Sequence, residues 1–254
     1  MRLIIQKDYN AASQWAAAYI KDRINAFSDR NFVIGLPTGS SPLGIYKELI
    51  KAHKEGKLSF ERTVTFNMDE YVGLSEDHPQ SYHRFMWDNF FSHIDIKREN
   101  VHLLNGTATD LLKECDEYEK RIASFGGLEL LIGGMGSNGH IAFNEPGSSL
   151  VSRTRVERLN NDTRNANARF FGGDINLVPS SALTIGVGTI MEAREVLIIV
   201  SGHAKARALQ AVVEGSVSQF WTLSCLQMHP NAIIVCDEDS AVDLKYGTVR
   251  HFKE

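Results

Sequence analysis

Short apolar runs that alternate with segments of helical periodicity constrain the fold of this chain most. The runs are Phe32–Leu36, Thr63–Asn67, Leu128–Ile132, Val196–Val200 and Ala232–Cys236. The first helical segment begins near Ala11 and places Ala16, Ile20, Ile24 and Phe27 on one face. Strands that alternate with helices are typical of a parallel sheet covered by helices, so we predict an α/β fold. A chain of 254 residues with 43% hydrophobic residues predicts one domain with a sizeable core.

The charge balance argues against nucleic acid or an anionic membrane as a partner, because the net charge is -4 and no Lys/Arg block occurs. The N-terminal apolar run is too short for a signal peptide, and no stretch reaches the roughly 18 apolar residues of a membrane span. The three cysteines, Cys115, Cys225 and Cys236, lie far apart and predict buried free thiols. We therefore expect a cytoplasmic protein whose partners are small molecules or copies of itself.

A glycine-rich segment, Gly133 to Pro146, follows the third apolar run. In open α/β sheets ligands bind beyond the carboxyl ends of the strands, and glycines there allow close approach of a substrate. This segment carries His140 and Glu145, so we predict an active-site loop with these two side chains as its acid/base pair.

The same segment matches the dinucleotide-binding pattern G-x-G-x-x-G at Gly134, Gly136 and Gly139. That pattern needs a helix to begin in the loop, so that the pyrophosphate lies at the helix N-terminus. Pro146 follows seven residues after the third glycine, and residues 144–149 are turn-like in composition. We therefore predict that this segment does not bind a nucleotide.

A second group of polar residues follows Phe32–Leu36, just before a segment with helical periodicity. It contains Thr38, Gly39, Ser40 and Ser41. Hydroxyls and free amides at a helix N-terminus form an anion site, and the lysine of a nucleotide-triphosphate loop is missing. The pattern favours a sugar phosphate, with a simple helix cap as the alternative.

Two further strand ends carry charged residues, and a polar segment lies between them. Asp69 and Glu70 follow Thr63–Asn67, and since neighbours on an extended backbone point to opposite sides, at most one faces a ligand. The residues leave open which one acts as a base, and whether this is only a solvated turn. Lys205 lies at a predicted helix start after Val196–Val200, where it binds phosphate or solvent. The polar segment Asn160–Asn167 predicts a mobile lid.

Several motifs occur in one order along the chain: Leu36–Pro42, Thr65–Gly73, His78–Tyr82, Gly139–Pro146, Ser152–Arg155, Ala182–Gly188 and Trp221–Gln227. Together they resemble the glucosamine-6-phosphate deaminase (glucosamine-6-phosphate isomerase) family over essentially the whole chain. The resemblance implies a single Rossmann-like α/β domain over residues 1–254, with a lid around 156–185. It also implies conversion of glucosamine 6-phosphate into fructose 6-phosphate and ammonia, without metal or organic cofactor.

The resemblance also implies roles for individual residues. Asp69 resembles the base that moves a proton from C2 to C1 of the opened sugar, His140 the residue that opens the ring, and Glu145 the residue that orients this histidine. The residues that match the phosphate site are Thr38, Gly39, Ser40, Ser41, Arg169 and Lys205. Chemistry agrees, because aldose–ketose isomerisation needs a carboxylate near the α-carbon and imidazole exchanges protons near neutral pH.

The chain departs from one common form of the family at Asn138, where many members have an aspartate as the third polar partner of the histidine. Asparagine still forms a hydrogen bond with an imidazole nitrogen but supplies no negative charge. We therefore expect a catalytic role for Asn138 in fixing the tautomer of His140, and expect Asn138→Asp to raise the pKa that governs the acidic side of the rate profile.

A longer branch of the family forms hexamers that N-acetylglucosamine 6-phosphate activates. The candidate effector-site residues here are Met1, Tyr118, Ser148, Ser149 and Arg155. Glu157 replaces a lysine of that branch and His251 a tyrosine, and a carboxylate repels a phosphate. We expect a homo-oligomer, with a hexamer as one form, and weak or absent activation.

Two other functions stay open. A 6-phosphogluconolactonase shares the fold and a similar glycine–histidine loop, but residues 141–145 and the Asp69–Glu70 pair favour the deaminase. A sugar-phosphate sensor of transcription would need a DNA-binding segment, and the N-terminal region has only one helix-sized pattern and little positive charge.

Overall fold

The computed structural model describes residues 1–27 and 30–253. Its strands are β1 Arg2–Gln6, β2 Phe32–Leu36, β3 Thr63–Asn67, β4 Asp69–Tyr71, β5 Val101–His102, β6 Leu130–Gly134, β7 Arg155–Arg158, β8 Ser181–Thr184, β9 Glu195–Val200 and β10 Ala232–Asp237. Its α-helices are α1 Tyr9–Asn25, α2 Leu43–Lys54, α3 Tyr82–Asn89, α4 Leu111–Ser124, α5 Asn161–Ala168, α6 Val187–Met191, α7 Ala206–Glu214 and α8 Tyr246–Lys253. Short 3-10 helices include His203–Lys205 and Thr222–Met228.

Seven strands of the described chain form a parallel sheet in the order β1-β10-β9-β6-β2-β3-β5. This sheet confirms the predicted α/β class. The bounds of β2 and β3 agree with the apolar runs, and β9 and β10 are each one residue longer. Strand β6 begins two residues later than predicted, at Leu130, because its pairing with β2 begins there. An apolar run therefore locates a strand but not the residue where its ladder begins.

Helices cover both faces of the parallel sheet, so its inner strands are almost wholly buried, whereas the edge strands β1 and β5 are partly exposed. One core contains the apolar faces of α1, α2 and α3, and the other contains those of α4, α6 and α7. Helix α1 begins at Tyr9, two residues before the predicted start, because the side chain of Asp8 caps it by accepting from the Ala11 amide at 2.8 Å. Phe27 lies beyond the end of α1 but packs against the same core.

A small antiparallel sheet in the order β4-β8-β7 lies beside the parallel one. Only Met68 separates β3 from β4, and its amide and carbonyl bridge Leu36 and Ile185 at 3.2 and 2.8 Å. This geometry fixes the first residue of β4, Asp69, opposite Thr184. The chain thus places a carboxylate directly after a core strand of the parallel sheet.

The polar segment Asn160–Asn167 forms most of helix α5. Its start is explained by Asn160, whose side chain accepts from the amide of Thr163 at 2.7 Å. The helix leads into a third apolar cluster that contains Ala168, Phe171 and Tyr71. The three cysteines are buried free thiols, as predicted. Within the described ranges, no helix is long and apolar enough to cross a membrane.

Candidate active site

A cavity of about 510 Å³ opens where β2, β3, β6 and β9 end. Nine of the ten residues predicted for catalysis and phosphate binding line it: Thr38, Gly39, Ser40, Ser41, Asp69, Asn138, His140, Arg169 and Lys205. The tenth, Glu145, lies behind His140 and contacts Asn138. The structure therefore brings together residues that follow strand ends far apart in the chain, and Arg169, which only the family resemblance had indicated.

One corner of the cavity is built to attract an anion. Residues Thr38 to Ser41 lie just before α2, and the hydroxyl of Tyr9 holds this loop by donating to the Ser41 carbonyl at 3.0 Å. Lys205 and Arg169 line the same cavity, and burial, followed by the charge of Arg169, lowers the pKa of the Lys205 ammonium group. Two cations that repel each other are stabilised by an anion bound between them, so this corner suits a phosphate.

Asn138 lies between His140 and Glu145 and connects them. Its Oδ1 is 2.5 Å from Nδ1 of His140, and its Nδ2 donates to Oε2 of Glu145 at 3.0 Å. A carboxylate can only accept, so the amide nitrogen must face Glu145 and the amide oxygen must face the imidazole. Nδ1 of His140 therefore carries the proton, and Nε2 of the neutral ring is left as an acceptor.

Burial and the nearby Lys205 lower the pKa of His140, while Glu145 raises it. Burial has the largest effect, so the neutral imidazole is favoured at neutral pH. A neutral imidazole whose Nδ1 already donates to Asn138 can accept a proton at Nε2 and return it. This is the behaviour expected of a general acid/base.

The glycines of the loop make room for aromatic rings. A Cβ at Gly136 would lie 2.3 Å from Cε1 of His140, and a Cβ at Gly139 would lie 2.6 Å from Cε3 of Trp221. The chain after Gly139 forms a tight turn with a bridge between Ile141 and Asn144, so the described loop lacks the helix that a dinucleotide site needs. Gly136 thus makes room for the imidazole of His140, and Gly139 makes room for the indole of Trp221.

Asp69 faces the cavity, whereas Glu70 points away from it, so Asp69 is the carboxylate of this pair that a ligand can reach. Glu70 accepts the backbone amides of Tyr71, Tyr82 and His83 at 2.8, 3.0 and 2.9 Å, so it holds the start of α3. Asp69 is 8% exposed, and burial, followed by the charge of Glu70, raises the pKa of Asp69 to about 8. A carboxylate with a pKa near the working pH suits proton transfer to and from carbon.

The cavity also contains polar residues that sequence reasoning missed. The Tyr71 hydroxyl accepts from Nδ2 of Asn167 at 2.9 Å, and the hydroxyl of Thr163 donates to Oε1 of Glu145. Thr163 and Asn167 lie one helical turn apart on α5, on the side that lines the cavity. The capping pair of Asn160 and Thr163 was a local signal for this helix, but no local pattern indicates what its side chains contact.

The candidate effector residues are only partly brought together. Arg155 donates to Oδ1 of Asn144 at 2.8 Å and to Ser148 at 3.3 Å, and it forms an ion pair with Glu157 at 2.6 Å. Tyr118 is 1% exposed, and its hydroxyl donates to the Asn67 carbonyl at 2.7 Å. Tyr118 therefore belongs to the core and offers no surface for a ligand.

Met1 and Ser149 lie at the periphery, where Met1 is half-buried against the core and Ser149 is exposed. Among the residues that the structure describes, no cluster of three or more His, Cys, Asp or Glu side chains is placed to hold a metal ion.

Comparison with known sequences places the chain in a family. The sequence pattern of the family described as "Glucosamine-6-phosphate isomerases/6-phosphogluconolactonase" matches residues 7–235. The chain belongs to this family. Its Rossmann-like fold is also that of a solved relative described as a monomeric glucosamine-6-phosphate deaminase, with a TM-score of 0.92 and 42% identity over 96% of this chain and 100% of the relative.

Members of the isomerase/lactonase family with the name glucosamine-6-phosphate deaminase are similar over the full length. The protein from Phocaeicola vulgatus is 62% identical, with 100% of this chain and 98% of the relative covered. The protein from Borrelia hermsii is 61% identical, with coverage of 100% and 96%. A 6-phosphogluconolactonase from Trypanosoma cruzi shares the fold at a TM-score of 0.76, with 21% identity over 96% of this chain and 97% of that protein.

Proposed function

We propose that the chain is a glucosamine-6-phosphate deaminase, which converts glucosamine 6-phosphate and water into fructose 6-phosphate and ammonia. One observation carries the proposal: a buried carboxylate, Asp69, and an imidazole of fixed tautomer, His140, line one cavity beside a cationic corner. The full-length relatives with this name, at 62% and 61% identity, support the same substrate.

His140 opens the sugar ring. The Nε2 atom accepts the proton of the hydroxyl on C1 and delivers a proton to the ring oxygen, so that the C1–O5 bond breaks and an aldehyde forms. Asn138 keeps the proton on Nδ1 throughout, because its Oδ1 only accepts. Glu145 holds the amide of Asn138 in that orientation and stabilises the imidazolium that forms transiently.

Asp69 moves the proton between the two carbons. Its carboxylate takes the proton from C2 of the open aldehyde and returns it to C1, while one proton of the substrate's ammonium group passes to the C1 oxygen, which leaves a hydroxyl on C1 and a protonated imine at C2. Water adds to this carbon, ammonia leaves, and the ketone of fructose 6-phosphate remains. Asp69 must be ionised before it can take the proton from C2. Burial favours its protonated form, but the ammonium group of the bound substrate favours the ionised form.

The cationic corner fixes the phosphate and so sets the distance of C1 and C2 from the two catalytic groups. Lys205 supplies a point charge, and Arg169 supplies a planar fork of donors. The hydroxyls of Thr38, Ser40 and Ser41 and the backbone of Gly39 complete the site at the start of α2.

The test measures both products together. Purified protein is incubated with glucosamine 6-phosphate, and ammonia and fructose 6-phosphate are quantified beside an Asp69→Asn variant. We expect equal amounts of both products from the natural chain and neither from the variant. Release of neither product, with hydrolysis of 6-phosphogluconolactone instead, would support the lactonase; binding of the sugar phosphate without turnover of either compound would support the sensor.

We also propose that effector activation is weak or absent. Glu157 already neutralises Arg155, the cation that a phosphate at the candidate effector site would need. We expect a hyperbolic dependence of rate on substrate that N-acetylglucosamine 6-phosphate leaves unchanged. A strong shift of the curve to lower substrate concentration on addition of that compound would contradict this expectation.

Three further expectations remain predictions. We propose a single domain with a lid around residues 156–185, which α5 and its polar surroundings support. We propose a cytoplasmic location, since three unpaired thiols suit a reducing compartment. We propose a homo-oligomer, with a hexamer as one form. A solved relative that is 42% identical is described as monomeric, so the mass of this protein in solution, measured by light scattering, is the test.

A further inference from the structure

Glu145 is a buried carboxylate, 8% exposed, that depends on hydrogen bonds to keep its position. Among the described residues, one donor serves each oxygen: Nδ2 of Asn138 donates to Oε2 at 3.0 Å, and the Thr163 hydroxyl donates to Oε1. In the described part of the chain, the basic side chain within ion-pair distance of Glu145 is that of His140, whose Nδ1 lies 3.6 Å from Oε2. A buried carboxylate without a permanent cation needs all its donors, so losing either one affects its position.

These two donors come from different parts of the fold. Asn138 lies in the loop that follows β6 of the parallel sheet, whereas Thr163 lies on α5 within the proposed lid. The hydrogen bond from Thr163 therefore joins the lid to the group that orients His140. A second bond joins the same helix to β4, the short strand that begins with Asp69, because Asn167 donates to the Tyr71 hydroxyl.

Helix α5 is held mainly by such polar contacts. Six of its eight residues, Asn161 to Ala168, are polar or charged, and Ala168 is its buried residue. Asn160 caps its first turn, and the guanidinium of Arg164 donates to the carbonyls of Ile175 and Val178. A helix with so little apolar burial belongs to the low-stability part of a fold and detaches more readily than the sheet elements.

We propose that Thr163 is a positioning residue that completes the hydrogen-bond series from the lid to His140. Thr163 holds Glu145, Glu145 holds the amide of Asn138, and Asn138 fixes the tautomer of the imidazole. The series is complete only while α5 lies over the cavity. Ring opening is therefore linked to the position of the lid, and His140 is least effective when the cavity is open to water. This inference rests on the proposed deaminase function.

The first test removes only the hydroxyl. Thr163→Val keeps the branched shape and, since threonine and valine have similar helix propensities, leaves the helix itself little changed. We expect kcat to fall by about 10- to 100-fold, as for loss of a hydrogen bond to a charged group, with KM changed by less than about threefold. Thr163→Ser should restore most of kcat. Asn165→Ala, which removes an exposed side chain from the same helix, is the matched control and should behave as the natural chain.

A double-mutant cycle separates positioning from simple loss of helix stability. If Thr163 acts through Glu145, Thr163→Val should cause no further loss in a Glu145→Gln background. Asn167→Ala should still lower the rate in that background, because its partner is Tyr71. Losses that multiply for Thr163→Val and Glu145→Gln, or a Thr163→Val enzyme as fast as the natural chain, would overturn the inference. A natural chain that releases no ammonia would overturn the proposed function itself, so the two failures are distinguishable.

Discussion

Replacement of Asp69 by asparagine should make the stability of the protein less dependent on pH. Asp69 has a pKa of about 8 in the folded chain, raised from 3.8 first by burial and then by the charge of Glu70. Between these two pH values the folded state keeps a proton that the unfolded state loses. The unfolded state thus binds fewer protons, so the free energy of unfolding falls as pH rises through this window and levels off above about 8.

The size of the effect follows from the shift. One pKa unit corresponds to about 1.4 kcal/mol, so this carboxyl lowers the free energy of unfolding by about 3 to 4 kcal/mol between pH 5 and pH 8. Asparagine has nearly the same shape and no charge in this range. The difference in stability between Asp69→Asn and the natural chain should therefore grow in favour of the variant by that amount as pH rises.

The assay is urea unfolding at several pH values between 5 and 8, followed by tryptophan fluorescence and circular dichroism. Agreement of the two signals establishes a two-state transition, which the comparison needs. Asp22→Asn is the matched control, because the Asp22 side chain is 74% exposed and its surroundings change little on unfolding. A stability difference for Asp69→Asn that stays flat across this range would refute the reasoning, since the folded chain would then hold Asp69 ionised.

Three more predictions concern the proposed catalytic histidine, the cationic corner and the packing around Tyr71. Asn138→Asp adds a carboxylate 2.5 Å from the imidazole of His140, so it should raise the pKa of this histidine. The lower break on the acidic side of the kcat/KM profile should then move to higher pH. A break that does not move would contradict electrostatic tuning from this position. Lys205→Met should raise KM by about 10- to 100-fold with a smaller effect on kcat, as initial rates would show. Gly106→Ala should lower the free energy of unfolding by about 1 to 3 kcal/mol, because the new Cβ would lie 2.0 Å from the Tyr71 carbonyl oxygen. Gly247→Ala is the matched control and should leave the stability unchanged, because a Cβ there has no neighbour within 4 Å.

The sequence predicted five of the seven strands of the parallel sheet, because each of these five is a local apolar run, whereas the edge strands β1 and β5 were not predicted. Runs such as Phe32–Leu36 are buried on both faces and therefore apolar throughout, which the sequence shows directly. The polar residues that follow these runs could be assigned to one cavity, because parallel strands all end at the same edge of the sheet. This is why Thr38, Asp69, His140 and Lys205 were expected together although 167 positions separate the first from the last.

The small antiparallel sheet was not predicted. Its strands have only three or four residues. The one apolar residue of β7, Arg155–Arg158, is Val156, and so short a pattern does not distinguish a strand from a loop. Asp69 pairs with Thr184 across more than one hundred positions, and such long-range pairing leaves no mark in either segment. The same limit applies to Asn138, whose place between His140 and Glu145 depends on a turn geometry that the spacing alone does not specify.

Burial favours the neutral forms of both proposed catalytic groups, and this determines how the site uses charge. Burial raises the pKa of Asp69 and lowers the pKa of His140, so neither group carries its charge at neutral pH before the substrate binds. Lys205 and Arg169, in contrast, repel each other without an anion. The substrate brings an anionic phosphate for this cationic corner and an ammonium group that favours ionised Asp69. The charges needed for catalysis are therefore completed by the substrate, and a sugar phosphate without the amine would bind at the corner but leave Asp69 largely protonated.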